Sequence, residues 1–368
     1  MREFNVTGIC VPDEHYMVNI EEKLEHIMSF INSGDYFTIN LSPQFGKTTT
    51  LNLLERLLAS TEYICMNLSF KNEGSSMFEN GGVFCEKFIT QIANALNCTN
   101  KDLANQWIDK SITDFRSLRR HIDRLCEDKK IVLLIDDIDH ANLNTVFLQF
   151  LSMLRILFQE RTVGNANSFH SVILVGVHDV KNIKLEEEHY YAPWNIATCF
   201  DVDMSFSPLE IATMLAAYEE GHNTGMNITA VSDEIYRFTS GHPHLISRIC
   251  RFMDENVNSG DWTVEGVQSV AHVIASDGDG CVLYDNISKS LENDNDIYKF
   301  IYDVLVVGVA MSFCFYESTN KKCHELGLIV RGSFGLVEIS NKIFEIVLTN
   351  YFDLKQNGLQ KEDDYAEI

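Results

Sequence analysis

Two apolar runs of strand length, Ile131–Ile135 (IVLLI) and Ser171–Val177 (SVILVGV), constrain the fold more than any other feature of the chain. A strand with one wet face alternates apolar and polar residues, whereas a strand buried on both faces reads as a continuous apolar run. Two shorter strand patterns, Asp35–Asn40 and Glu62–Phe70, precede them, and Phe200–Phe206 (FDVDMSF) reads as one more. Helical spacing fills the intervals, over residues 20–33, 47–60, 83–97, 112–127 and 143–159. Parallel neighbours need long crossovers, so strands alternating with helices imply a parallel sheet covered on both faces.

After Ser207-Pro208 the pattern turns wholly helical. Candidates are Leu209–Glu220, Ala230–Thr239, His244–Glu255 and Val264–Ala275, broken by Gly221, by Gly241-His242-Pro243 and by Ser259-Gly260-Asp261. The polar stretch Ser276–Asn295 reads as a loop or linker. A helix near Ile297–Val307, two short apolar runs around Arg331–Gly335 and a helix Asn341–Phe352 suggest a winged-helix module. The longest apolar run, Val304–Phe315, is too short to span a bilayer and reads as a core element of that module. The expected fold class is α/β, with four parts: a three-layer parallel-sheet core (1–206), a helical lid (207–290), a winged-helix-like module (291–353) and a disordered tail (354–368).

Composition narrows the partners. The 368 residues carry 53 acidic and 29 basic side chains, a formal charge of −24. Such a chain is repelled by phosphate backbones and anionic lipid unless a local basic face intervenes. Half of that charge, −12, lies in residues 201–295, which points to a protein partner, a basic one, at the lid; nucleic acid and membrane are not expected partners. Ten scattered cysteines without a C-x-x-C pair, and a start lacking an apolar leader, read as a cytoplasmic protein with reduced thiols.

The chemistry concentrates at Gln44-Phe45-Gly46-Lys47-Thr48-Thr49, where a strand turns into a helix. A phosphate chain needs inward backbone N–H groups, a helix N-terminus, a lysine for the terminal phosphates and a hydroxyl for the metal. Gly46, Lys47 and Thr48 supply them. Further along, Val132-Leu133-Leu134-Ile135-Asp136-Asp137 has the form of a Walker B strand. There Asp136 would hold Mg2+ opposite Thr48, and Asp137 would polarise the attacking water. The alternative makes Lys47 an ordinary helix residue and the aspartates a strand-end turn. Leu41 stands where the full motif has glycine, and Asp137 is shorter by one methylene, about 1.5 Å, than the glutamate common at that place.

These residues, with Phe4–Pro12, Tyr16-Met17-Val18, Phe37–Asn40 and Ser240-Gly241-His242-Pro243-His244-Leu245, resemble the AAA-like P-loop ATPase domains of the STAND and archaeal-type group over about residues 1–260. Members often lack the first loop glycine. The resemblance implies ATP and Mg2+ as cofactors, with Lys47 and Thr48 on phosphate and metal, Asp136 on the metal and Asp137 on water. It implies further that His178 or Asp179 senses the γ-phosphate, that Arg248 is the lid residue nearest the nucleotide, and that Tyr16 contacts the base. A solvated histidine at 178 and an ion pair of Arg248 with Asp254 or Glu255 are the competing uses. Arg155 and Arg161 are candidates for an arginine finger in a homo-oligomer, or for surface salt bridges.

Three functions compete at this point. The first is an ATP-binding, slowly hydrolysing switch whose lid and winged helix respond to nucleotide. The second is a nucleotide-binding scaffold without significant hydrolysis. The third is a DNA-binding initiator-like ATPase, disfavoured because residues 296–353 hold five basic against seven acidic side chains.

Overall fold

The computed structural model describes residues 2–71, 75–97, 100–109, 111–141, 144–178, 180, 194–256, 261–276 and 282–366, with side chains as far as 356. The chain divides into two compact units, residues 21–41 with 47–203, and residues 1–20, 42–46 and 204–368.

The first of these is the sheet unit. It contains α1 (Glu21–Ser33), β1 (Tyr36–Asn40), α2 (Lys47–Leu58), β2 (Ile64–Ser69), α3 (Gly81–Asn97), α4 (Lys101–Trp107), α5 (Phe115–Leu125), β3 (Ile131–Asp136), α6 (Thr145–Thr162) and β4 (Ser171–Gly176). All pairings are parallel, in the order β1-β4-β3-β2. Every residue of β3 and β4 is buried, as their unbroken apolar runs require. Four aromatic residues of α3 and α6, Phe84, Phe88, Phe147 and Phe150, are fully buried in the same core, and Phe158 packs against it partly buried. On the β1 side the Trp194 indole donates to Thr38 Oγ1 at 3.0 Å and stacks on Tyr36.

The strand expected at 200–206 does not form. The chain makes one bridge to Phe37 through Thr198, whose N–H donates to Tyr36 O at 2.8 Å, and then leaves the edge. The alternating apolar residues serve two cores instead of one sheet face. Phe200 stacks on Phe37 within the sheet unit, while Phe206 donates its N–H to Gly241 O within the other.

That other unit is mainly helical. Its elements are α7 (Pro208–His222), α8 (Ile228–Thr239), α9 (Pro243–Asn256), α10 (Val264–Ser276), α11 (Val282–Asn293), α12 (Asn295–Tyr302), α13 (Ser318–Glu325), β5 (Ile329–Arg331), β6 (Val337–Ile339) and α14 (Lys342–Ala366). The start of α7 is written locally: Ser207 caps it in a reciprocal box with Glu210, and Pro208 occupies its first turn. The antiparallel pair β5–β6 stands where a hairpin was expected.

Four expectations need correction here. Residues 2–20 assort with the helices and not with the sheet: Phe4 and Tyr16 join Tyr218 in a buried aromatic cluster that also takes in Trp262, centroids 4.7–6.2 Å apart. Most of the supposed linker is α11, because Leu283, Tyr284, Ile287 and Leu291 form a buried stripe that its many polar residues conceal. The run Val304–Phe315 is not core. Its 311–313 segment lies along β6, with Val337 N–H donating to Met311 O and Phe313 N–H to Gly335 O, and Val306, Val307, Val309 and Phe315 are exposed. Finally, α14 continues to Ala366, so residues 354–366 are helical where a disordered tail was expected.

Candidate functional site

In the sheet unit the candidate residues converge at the C-terminal ends of the strands. Lys47 opens α2, and its Nζ donates to Leu41 O at 2.8 Å. Thr48 Oγ1 donates to Asp136 Oδ2 at 2.9 Å, joining the first turn of α2 to the last residue of β3. The other carboxylate oxygen of Asp136 accepts the Asp137 N–H at 2.9 Å. Asp137 has φ +56°, a left-handed conformation that an L-residue adopts at a cost, and its Oδ2 accepts from Ser69 Oγ at 3.0 Å. Thr49 is half-buried in the first turn of α2.

Burial dominates the electrostatics. It lowers the Lys47 pKa from the usual lysine range, opposed by the attraction of Asp139, Asp136 and Asp137. Burial likewise raises the Asp136 pKa, assisted by the charge of Asp137 and opposed by the Thr48 hydroxyl, the Asp137 N–H and Lys47. A buried carboxylate crowded by a second one gains most from an added cation. The donor set, one hydroxyl and one carboxylate beside a helix N-terminus, fits Mg2+, a metal that keeps several waters and takes phosphate oxygens. It does not fit an all-protein cage, and among the described residues no group of three His, Cys, Asp or Glu side chains could hold a metal.

Asp139 is a residue that motif reading passed over. Its carboxylate accepts from Val177 N–H at 2.9 and 2.8 Å and from His178 N–H at 3.0 Å, clamping the chain just past β4. Gly176 permits this approach, because a Cβ there would lie 2.7 Å from Ile138 Cγ1 and 3.0 Å from Asp139 Oδ1. The available signal was the third carboxylate in Asp136-Asp137-Ile138-Asp139. His178 itself is exposed, and Asp179 lies outside the described residues. Arg161 is no free surface arginine. Its guanidinium donates to Gly34 O at 2.6 Å and to the carbonyls of Phe169 and His170.

The remaining candidates belong to the helical unit. Gln44 and Gly46 both have positive φ, +59° and +77°, and Gln44 Oε1 is buried with no hydrogen-bond partner. Phe45 packs edge-on against His242. Tyr16 is 8% exposed in its aromatic cluster, so burial, with help from Asp254, raises its pKa. Arg248 lies over the Tyr284 ring at 4.9 Å. Its two expected partners are engaged elsewhere, Asp254 by the Tyr218 hydroxyl and Glu255 by Arg251.

Comparison with known proteins agrees with the fold. The chain is similar to the Walker-type ATPase PABY2304 of Pyrococcus abyssi, at TM-score 0.58 and 13% identity over 94% of this chain and 99% of that one. It also aligns with the ORC2 protein of Aeropyrum pernix (ADPNP–ADP complexes), at TM-score 0.48 and 12% identity over 96% and 98%. No curated protein matches the sequence. A family profile described as "AAA-like domain" matches residues 12–279. With the strand order, the Lys47-Thr48 turn and the Asp136-Asp137 strand end already in place, the chain belongs to the AAA-like domain family of P-loop ATPases.

Proposed function

We propose that the protein is a Mg2+-dependent, ATP-binding and slowly ATP-hydrolysing switch. The observation that carries this reading is the Thr48–Asp136 hydrogen bond at 2.9 Å with Lys47 at the start of the same helix. Lys47 would exchange its bond to the uncharged Leu41 carbonyl for one to a phosphate oxygen, so that the acceptor as well as the donor carries charge. Thr48 and Asp136 would hold Mg2+, which when bound supplies positive charge against the phosphates. Asp137 would orient the attacking water, and the chain clamped by Asp139 would present His178 towards the terminal phosphate. Among the described residues no helix is long and apolar enough to cross a membrane. The reading places the protein in the cytoplasm, on its scattered cysteines.

The slow-turnover element rests on Asp137. Its carboxylate is short, sits on a strained backbone and is already bonded to Ser69, three features that oppose a free general base. They also support the second reading, a scaffold that binds ATP without significant hydrolysis. On the switch reading, residues 207–290 act as the lid and the β5–β6 hairpin with its flanking helices as a winged-helix module, with the acidic lid meeting a basic protein partner and with assembly into homo-oligomers. The test is titration of a fluorescent ATP analogue with and without Mg2+, alongside phosphate release by wild type, Lys47→Ala and Asp137→Asn. Mg2+-dependent binding that Lys47→Ala loses, with release above both variants, supports the switch. Binding with release equal to Lys47→Ala supports the scaffold, and absence of binding refutes both.

A further inference from the structure

The loop that precedes Lys47, residues 42–46, assorts with the helical unit, and it meets that unit at two places, His242 and Gly327. The Phe45 ring meets the His242 ring at 5.0 Å and 69°, and His242 also meets Phe344 of α14, at 5.7 Å and 67°. Ser42 lies so close to Gly327, which precedes β5, that a Cβ on that glycine would stand 2.8 Å from Ser42 Cβ and Oγ. Gly327 has φ +76°, which already excludes most other residues.

His242 is fixed before it touches the loop. It follows Ser240 and Gly241, both left-handed at φ +46° and +80°, in the turn between α8 and α9. Only glycine fits at 241, since a Cβ would lie 2.5 Å from Phe206 O. The Phe206 N–H donates to Gly241 O at 2.9 Å, and the His242 N–H donates to Thr239 O at 3.0 Å. The imidazole is 5% exposed, yet its Nδ1 has no hydrogen-bond partner. A ring held by a hydrogen bond at that nitrogen would be oriented by polar chemistry. This one has no such bond at Nδ1; it stands on a fixed backbone turn and meets two aromatic rings edge-on.

We infer that His242 is a positioning residue of the phosphate loop, acting through the ring of Phe45. The α8–α9 turn sets where Phe45 lies, and that anchor holds the left-handed conformations on either side of it, Gln44, which adopts it at a cost, and Gly46, which adopts it freely. The consequence for nucleotide affinity rests on the proposed ATP reading; the consequence for the loop does not.

Two readouts separate those levels. Amide hydrogen exchange of residues 42–47 in nucleotide-free protein measures loop order directly, and titration with a fluorescent ATP analogue measures its effect on binding. His242→Ala and Phe45→Ala should each speed loop exchange by about three- to tenfold, the range of one aromatic pair, and weaken the analogue to a similar degree. The double variant should be no worse than the worse single one, because both remove the same contact. His242→Phe should restore both readouts, since it keeps the ring and lacks the unpaired nitrogen. Loop exchange unchanged in Phe45→Ala, additive effects in the double variant, or His242→Phe as impaired as His242→Ala would each overturn the inference. Should His242→Ala fail to fold, Phe45→Ala and His242→Phe decide it between them. If wild type binds no analogue, the proposed function fails while the exchange arm still decides the role of His242.

Discussion

The same imidazole makes the helical unit acid-sensitive by an amount that the structure allows one to work out. Burial, reinforced by the neighbouring His244, pushes the His242 pKa down to about 3, and burial with Arg248 pushes that of His244 down to about 4. In the unfolded chain both titrate near 6.5. A base whose native pKa is depressed contributes stability at pH above 6.5. That contribution is lost as pH falls, because the unfolded state takes up a proton that the native state refuses. The loss runs at up to about 1.4 kcal/mol per pH unit per residue until the native pKa is reached, so moving from pH 7 to pH 5 removes about 2 kcal/mol through His242 alone. His242→Phe, which preserves the aromatic contacts with Phe45 and Phe344, should delete that share. The assay is urea unfolding of wild type and variant at pH 7 and pH 5. Carboxylates stabilised in the native state, such as Glu219 and Glu234, also weaken folding in acid but cancel in the comparison. Wild type should lose about 2 kcal/mol more than the variant between the two pH values. An equal loss would refute the assignment of a buried, neutral imidazole at 242.

Four further perturbations test other parts of the molecule. Gly176→Ala forces a Cβ against Ile138 and Asp139 and should lower stability by about 1–3 kcal/mol in thermal melts. Asp139→Asn weakens the acceptor of the Val177 and His178 N–H groups and should cost about 1–3 kcal/mol; an unchanged melting temperature would deny the clamp. Thr48→Val removes the hydroxyl that donates to Asp136 and should abolish the Mg2+-dependent part of nucleotide binding, as chelation with EDTA should in wild type. Gly327→Ala meets both a positive φ and the Ser42 side chain, so it should destabilise the helical unit by about 1–3 kcal/mol and speed amide exchange at residues 42–46.

Most of the sheet was legible because burial on both faces leaves a local trace. The runs Ile131–Ile135 and Ser171–Val177 can be read without knowing their neighbours, and the observed β3 and β4 match them to within a residue. The cap Ser207-Pro208 is local in the same sense, and so is the Lys47-Thr48 turn. Amphipathic α11 was hidden because its polar residues outnumber the stripe that it buries. The strand pattern at 200–206 misled because alternation records only that every second residue is buried, and not against what. Val304–Phe315 misled for the converse reason: an apolar run shows what a segment could bury, while the core of its module is filled by Ile301, Cys323, Leu328 and Ile343.

What the sequence by itself determined, then, is the chemistry at the strand ends: a lysine and a hydroxyl opening one helix, two carboxylates closing one strand, and the α/β class that brings them together. Those features follow from residue types at fixed short spacing. The tertiary structure alone decided which unit holds residues 2–20 and the loop 42–46, that Asp139 secures the chain after β4, and that His242 is buried against Phe45. Each of these joins residues distant in the chain. Contacts at such range are selected by shape and burial in the folded molecule, and no period or spacing names the partner, even where a residue such as Asp139 stands out in its motif.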